Sequence, residues 1–392
     1  MDVLTIKLSA IQVLGLACFG LVMGGWLKRL FPFLDRVNIP GSIAGGMVYA
    51  VATLVLRDRW LNLDMDMALR DVLMVAFFTS VGMNASLRLV MRGGRGVVIF
   101  LVLAVAGLLL QNLLGVGLAK LLGLDPLIGL LAGSISLTGG PATALAFGGT
   151  FEKLGVSSAT VLGVASAVFG IASGGLLGGF VGGRLIRKHG LRSTITSTAT
   201  ADIPVAEEDS TLVTNVIALG IAMGLGTVVS MILQQYILLP AYIGAMIIAG
   251  VIRNLDDHYG FARVSQEKMD LIGGISLDIF IVMALLTLRL WELVHLAIPV
   301  LAILLAQVGL MLVLCWAFIY ALMGRNYEAA VMSTGYCGFM LGTTANAMCC
   351  MQELVKKYGP APAAFLAVSI VGAFLIDFCN ALVITNALNL LR

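Results

Sequence analysis

Three stretches of 30 residues or more contain no aspartate, glutamate, lysine or arginine: Leu154 to Gly183, Ser210 to Ile252, and Leu293 to Gly324. About 20 apolar residues cross the hydrocarbon core of a bilayer, so each stretch is long enough to hold a span. Charge is scarce elsewhere too. Only 11% of the 392 residues are charged, against about 25% in an average soluble domain, and 60% are apolar. So few charges cannot coat a soluble surface. A soluble enzyme, a nucleic-acid binder and a disordered chain are all excluded. A membrane β-barrel would alternate polar and apolar residues in short segments, whereas these runs are unbroken. What remains is an all-α polytopic membrane protein.

Apolar spans are expected at about 8–28, 41–56, 70–90, 96–121 and 157–183, then at 212–236, 241–255, 271–291, 295–323 and 362–390. Residues 8–28 run into Lys28-Arg29 rather than a small-residue cleavage site, so they are read as a helix and not a leader. One polar linker, 187–211, is rich in Ser, Thr and charge and separates two halves, 1–186 and 212–392. Each half also holds a stretch interrupted by Gly and Thr, 126–150 and 327–351. The halves share a plan. Ile39-Pro40 matches Leu239-Pro240 and Leu69 matches Met269 at an offset of 200; Glu152 matches Glu353 at 201. Five crossings per half is odd, so a duplicated second half sits upside down. Inverted repeats are the architecture of many secondary transporters. With each broken stretch entering and leaving on one side, 16 of the 24 basic side chains share the linker's side. The positive-inside rule then puts the linker in the cytoplasm and both termini outside. Trp26 and Trp291 sit at span ends as interfacial anchors would; Trp316 does not.

Chemistry is expected where the helices break. Ser134, Ser136, Thr138, Gly139, Gly140 and Thr143 lie in the first interrupted stretch; Gly342, Thr343, Thr344 and Asn346 lie in the second. Arms of about 12 residues are too short to span. Unpaired backbone groups in hydrocarbon cost several kcal/mol each, so such turns survive only inside protein or beside water. There, half-helix N-termini bind carboxylates and free carbonyls bind cations. The competing reading is a glycine-rich helix packing face with threonines bonded to their own helix. Asp377 and Asp278 fall inside spans, where a carboxylate is costly and a functional candidate by default. Asn380 shares a helix face with Asp377. A carboxylate and an amide carbonyl suit a hard cation, although Asp377 could equally carry a proton or bind an ammonium. Asn84, Thr79 and Ser80 are weaker polar candidates. His189, His258 and His295 are scattered, and no hydrolase, metalloprotease or nucleotide-binding motif occurs. The six cysteines form no metal spacing and read as small core residues. No cofactor is expected; energy must come from an ion gradient. A channel would need identical ligands around a pore, and the two broken stretches differ in sequence. A lipid-acting enzyme would need an acid–base or metal set.

The run from Leu122-Gly123-Leu124-Asp125-Pro126 to Gly133-Ser134-Ile135 resembles the bacterial sodium/glutamate symporters. So do Ser136-Leu137-Thr138-Gly139-Gly140, Leu290-Trp291-Glu292-Leu293, Cys337-Gly338-Phe339, and Val371-Gly372-Ala373-Phe374-Leu375-Ile376-Asp377. The resemblance covers the whole chain except the linker. It implies ten crossings, two re-entrant loops, sodium as coupling ion, L-glutamate as substrate, the bacterial inner membrane and a homodimer. The broken stretches would then hold the substrate, and Asp377, Asn380, Asp278 and Asn84 the sodium. Three departures stand out. The family usually has His-Gly-Thr-Gly where this chain has Pro141-Ala142-Thr143-Ala144. A His commonly precedes the Cys-Gly-Phe, where Tyr336 stands, and a small hydroxyl residue is usual in place of Asp278. With Asp278 nearby and the His missing, the cavity is expected to be more acidic than the family's. A relaxed preference follows, extending to a neutral or monoanionic solute, with proton coupling as the alternative to sodium.

Overall fold

The structure is a computed structural model that describes residues 4–56, 61–193, 211–290 and 296–391. Most of the 187–211 linker, Trp291 and Arg392 lie outside the described residues. The chain opens with helices α1 (Ala10–Leu30), α2 (Pro32–Arg36), α3 (Gly41–Leu56), α4 (Ala68–Met83), α5 (Leu87–Arg92) and α6 (Gly94–Leu121). Next, α7 (Pro126–Leu130) runs into a π-helical turn, Leu131–Ile135, followed by α8 (Gly140–Lys153) and α9 (Ala159–His189). Beyond the linker come α10 (Leu212–Leu233), α11 (Ala241–Tyr259) and α12 (Gln266–Leu286). Then α13 (Ala297–Val313) continues through a second π segment, Leu314–Ile319, into α14 (Tyr320–Leu322). The pair α15 (Tyr327–Met340) and α16 (Thr344–Tyr358) precedes α17 (Pro362–Ile370), a third π segment Val371–Leu375, and α18 (Ile376–Leu390).

Among the described residues six helices are long and apolar enough to cross a membrane: α1, α6, α9, α10, α12 and the continuous Ala297–Leu322. Shorter apolar helices are α3, the Pro126–Ile135 arm and α18. Sequence punctuation explains most boundaries. Pro126, Pro141 and Pro362 occupy first turns, where their missing N–H costs nothing. Asp125 caps α7 by accepting from the Leu127 N–H at 2.8 Å. The expected span 70–90 stops at Met83, and Asn84 to Ser86 turn the chain into α5.

The fold is not wholly helical. Leu4–Leu8 pairs in parallel with Leu61–Met65, setting Lys7 opposite Asp64. Of the cysteines, Cys315, Cys337 and Cys350 are buried, but Cys18 is exposed on α1 rather than in a core.

The first long pair in each half packs backbone to backbone. A Cβ on Gly24 would stand 1.9 Å from the Gly41 carbonyl oxygen, and one on Gly45 would stand 1.9 Å from that of Gly20. Only hydrogen fits there. The pair α10–α11 meets the same way, with a Gly226 Cβ 2.1 Å from the Ala245 Cα. In lipid, where apolar burial gives no drive, close approach of small residues is what holds helices together. The aromatic part of the core lies elsewhere: Phe147 and Phe151 of α8, and Tyr336 and Phe339 of α15, are all but fully buried.

Candidate functional site

The two interrupted stretches meet. Gly133 leaves the helical region (φ −100°, ψ −134°), kinking the first arm inside its π turn. Gly140 restarts the helix with φ +64°, a conformation glycine adopts without strain. A Cβ there would lie 3.6 Å from both the Gly342 oxygen and the Thr343 Cγ2 of the second stretch. Thr343 is the N-cap of α16 and accepts from the Asn346 N–H at 3.4 Å. The N-termini of α8 and α16 therefore start at one point, each carrying roughly half a positive charge and free N–H groups.

Three amides inside apolar spans tie the junction together. Gln111 of α6 is fully buried; its Nε2 donates to the Met340 carbonyl at 2.8 Å, and its Oε1 accepts from Thr138 Oγ1 at 2.7 Å. Gln307 of α13 donates to the Gln111 carbonyl at 2.7 Å, and Asn112 Oδ1 accepts from the Ser134 N–H at 3.1 Å. None of the three was among the expected site residues. The signal was present, because amides amid leucines, here Gln111-Asn112 and Gln307, are as conspicuous as a lone acid. Cross-half bonds complete the frame. Asn346 Nδ2 donates to the Ile171 carbonyl at 2.7 Å, and Asn380 Nδ2 to the Ser134 carbonyl at 3.0 Å. Thr344 Oγ1 donates to the Gly372 carbonyl in the third π segment. That segment ends two residues before Asp377, which is half-buried. Such π turns concentrate at functional sites.

Several buried polar atoms are left over. Ser134 Oγ, Ser136 Oγ, Asn346 Oδ1 and Asn380 Oδ1 have no hydrogen-bond partner among the described residues. Each such atom costs about 1–3 kcal/mol, so a cluster of them marks a place meant to meet something else.

Other expected residues are committed or lie elsewhere. The hydroxyls of Thr138 and Thr344 are spent on the protein. Thr143 packs against Gly139, whose Cβ would stand 2.5 Å from the Thr143 Cβ. Asn84 caps the end of α4 and donates to Asp270 Oδ1 at 2.5 Å. Asp278 is exposed. Helical geometry turns it about 200° from Phe280, away from the Phe280–Ala284–Thr287 face. It therefore adds no charge to the junction, and the expected acidification loses one of its two grounds.

The Phe280–Ala284–Thr287 face lines a cavity of about 800 Å³ between α4, α11, α12 and α8. Arg70, Lys153 and Arg289 share its lining with Asp71 and Glu152. Arg70 is paired with Asp71 at 2.8 Å. The cavity runs beside α8 as far as Leu145, about 8 Å along the helix from Gly140. No cluster of three metal-ligating His, Cys, Asp or Glu side chains occurs among the described residues.

Apolar helices of spanning length around a buried polar junction of broken helices define a multi-pass membrane protein with its polar groups turned inward. Relatives of the chain narrow that class. The sodium/glutamate symporter family model matches residues 6–360. Proteins named sodium/glutamate symporter from Escherichia coli (strain K12) and Shigella flexneri are each 39% identical over 396 aligned residues, covering 96% of this chain and 96% of theirs. The Haemophilus influenzae protein of that name is 34% identical over 389, covering 95% of both. The chain belongs to the sodium/glutamate symporter family. These relatives are transporters rather than enzymes.

Proposed function

We propose that the protein is a sodium-coupled symporter that imports L-glutamate or a closely related anionic amino acid by alternating access. The observation that carries this reading is the convergence of the α8 and α16 N-termini beside unpartnered buried oxygens. Two positive helix ends suit a carboxylate. Neither turn contains a lysine or arginine, so neutral donors hold the anion: first-turn N–H groups of α8 and α16 that have no partner within their own helix, with Ser136 as hydroxyl. Sodium takes hard oxygen ligands. Asp377 supplies a carboxylate, and Asn380 Oδ1 and Ser134 Oγ supply unpartnered oxygens one hydrogen bond apart through the Ser134 carbonyl.

The same reading makes 126–150 and 327–351 re-entrant loops of two inverted repeats, 1–186 and 212–392, in a homodimer of the bacterial inner membrane. The reciprocal bonds from Asn346 and Asn380 support the symmetry. Both termini are periplasmic and the 187–211 linker is cytoplasmic. This fits the gathering of Arg70, Lys153 and Arg289 at a single cavity, which then opens outward. Cysteine labelling at 200 and at 392 should report opposite faces.

Uptake into proteoliposomes tests the function. Glutamate should accumulate against its gradient under inward sodium and not under an equal proton gradient. Competition sorts the solute: inhibition by glutamate and aspartate with inert neutral amino acids supports the anionic reading. Equal inhibition by neutral amino acids overturns it.

A further inference from the structure

Trp316 of the second π segment belongs to a second cavity. Arg184, Lys188, His189 and Trp316 line a pocket of about 220 Å³ between the end of α9 and the second π segment. No acidic residue lines it. The Arg184 guanidinium carbon stands 5.7 Å from the Trp316 ring centroid, and the His189 ring stacks on Tyr320 at 5.2 Å and 27°. Arg184 and Lys188 are exposed, one helical turn apart on one face of α9.

Depth identifies what this pocket faces. Trp316 lies six residues before the end of the spanning helix Ala297–Leu322, about 9 Å in from that end. Arg184 lies five residues before the end of α9. This is the interfacial zone, where tryptophan anchors and cationic side chains reach toward headgroups. Moving toward the membrane centre, the same α9 face continues as Phe180 and Leu176, 47% and 67% exposed, and the neighbouring helix offers Val313, 56% exposed. The Phe180 and Trp316 rings are 6.5 Å apart. The surface is thus cationic above and apolar below, with an aromatic ring at the boundary. A phosphate with acyl chains attached has that profile; a soluble anion has no use for the lower half.

We propose that this pocket is a binding site for one acidic phospholipid, its phosphate between Arg184 and Lys188 and its chains along Phe180, Leu176 and Val313. Juxtamembrane cations attract acidic lipid additively, and basic pockets between spans are suited to headgroups. The site also bears on transport, because α9 carries the Ile171 carbonyl that accepts from Asn346. A lipid held at its end stabilises the helix that seats the second broken turn.

Trp316 is the reporter. The protein is reconstituted with brominated phosphatidylglycerol or brominated phosphatidylcholine, and quenching is taken as the difference between wild type and Trp316→Phe. The acidic lipid should reach half-quenching at about 10–30-fold lower mole fraction, the value for two cations acting together. Arg184→Gln with Lys188→Gln should erase that preference. Arg184→Lys with Lys188→Arg should keep it, which separates charge from folding. Added inorganic phosphate should not relieve the quenching. Equal quenching of the wild type by both lipids overturns the proposal without recourse to any variant. Relief by free phosphate assigns the pocket to a soluble anion and overturns it as well.

Discussion

Gln111 is the place to test whether the two broken stretches work as one unit. Its amide bridges Thr138 of the first to Met340 of the second. Leucine at 111 keeps the volume and removes both bonds. The Met340 carbonyl does not become an orphan, because Thr138 Oγ1 already stands 3.3 Å from it and can turn its proton that way. The expected cost is therefore that of one or two net hydrogen bonds, about 1–3 kcal/mol, or about 5–150-fold in kcat/KM for sodium-driven uptake. Thr138→Val has the worse consequence of stranding Gln111 Oε1 in a fully buried site, again about 1–3 kcal/mol. The double variant spares Gln111 Oε1 but leaves the Met340 carbonyl without either donor, a penalty of the same size, about 1–3 kcal/mol, so the two single effects should multiply to within about threefold. Initial uptake rates in proteoliposomes, normalised to inserted protein, supply the four corners of the cycle. Single variants within twofold of wild type would refute the claim that Gln111 couples the turns.

Three further outcomes follow from the same geometry. Asp377→Asn removes the carboxylate at nearly constant volume and should abolish sodium activation while leaving insertion and thermal stability of the purified protein intact; a retained sodium dependence removes Asp377 from the ion site. Thr344→Val cuts the link to the Gly372 carbonyl beside Asp377, so it should raise the sodium concentration for half-activation about 5–10-fold, from a loss of about 1–1.5 kcal/mol, more than it changes the glutamate constant at saturating sodium. Asp278→Asn should leave both constants within twofold, because its side chain faces away from the junction; a large shift in sodium activation would return Asp278 to the ion site.

The sequence showed the spans by their missing charge and the broken stretches by their Gly and Thr content, and it picked out the Asp377–Asn380 pair. It did not show which way side chains face. Asp278 illustrates the reason. Its neighbours are apolar all round, since a membrane helix meets lipid on one side and protein on the other, and neither demands polarity. The pattern that separates inside from outside in a soluble helix is absent. The three π segments were also invisible, because one extra residue per turn leaves no mark in composition. Thr138 and Thr344 could be named as hydroxyls in the right turns, but whether a hydroxyl faces solute or protein depends on partners 27 and 28 residues away in sequence. The Leu4–Leu8 and Leu61–Met65 ribbon was missed because each strand is five residues long and stands beside a much stronger helical signal.

The contact between α1 and α3 has a consequence for how the protein tolerates change. α1 is the least buried of the long helices among the described residues, with 22% of its apolar span buried inside the protein, and most of its surface meets lipid that accepts almost any apolar side chain. Its attachment nevertheless depends on a ladder at Gly20 and Gly24 against Gly41 and Gly45. Substitutions along α1 should thus divide sharply by position: near-neutral over three quarters of the circumference, and disruptive for a single added methyl at every fourth residue. A saturation library would see this helix as permissive and intolerant by turns, with the period of the glycines rather than of hydrophobicity.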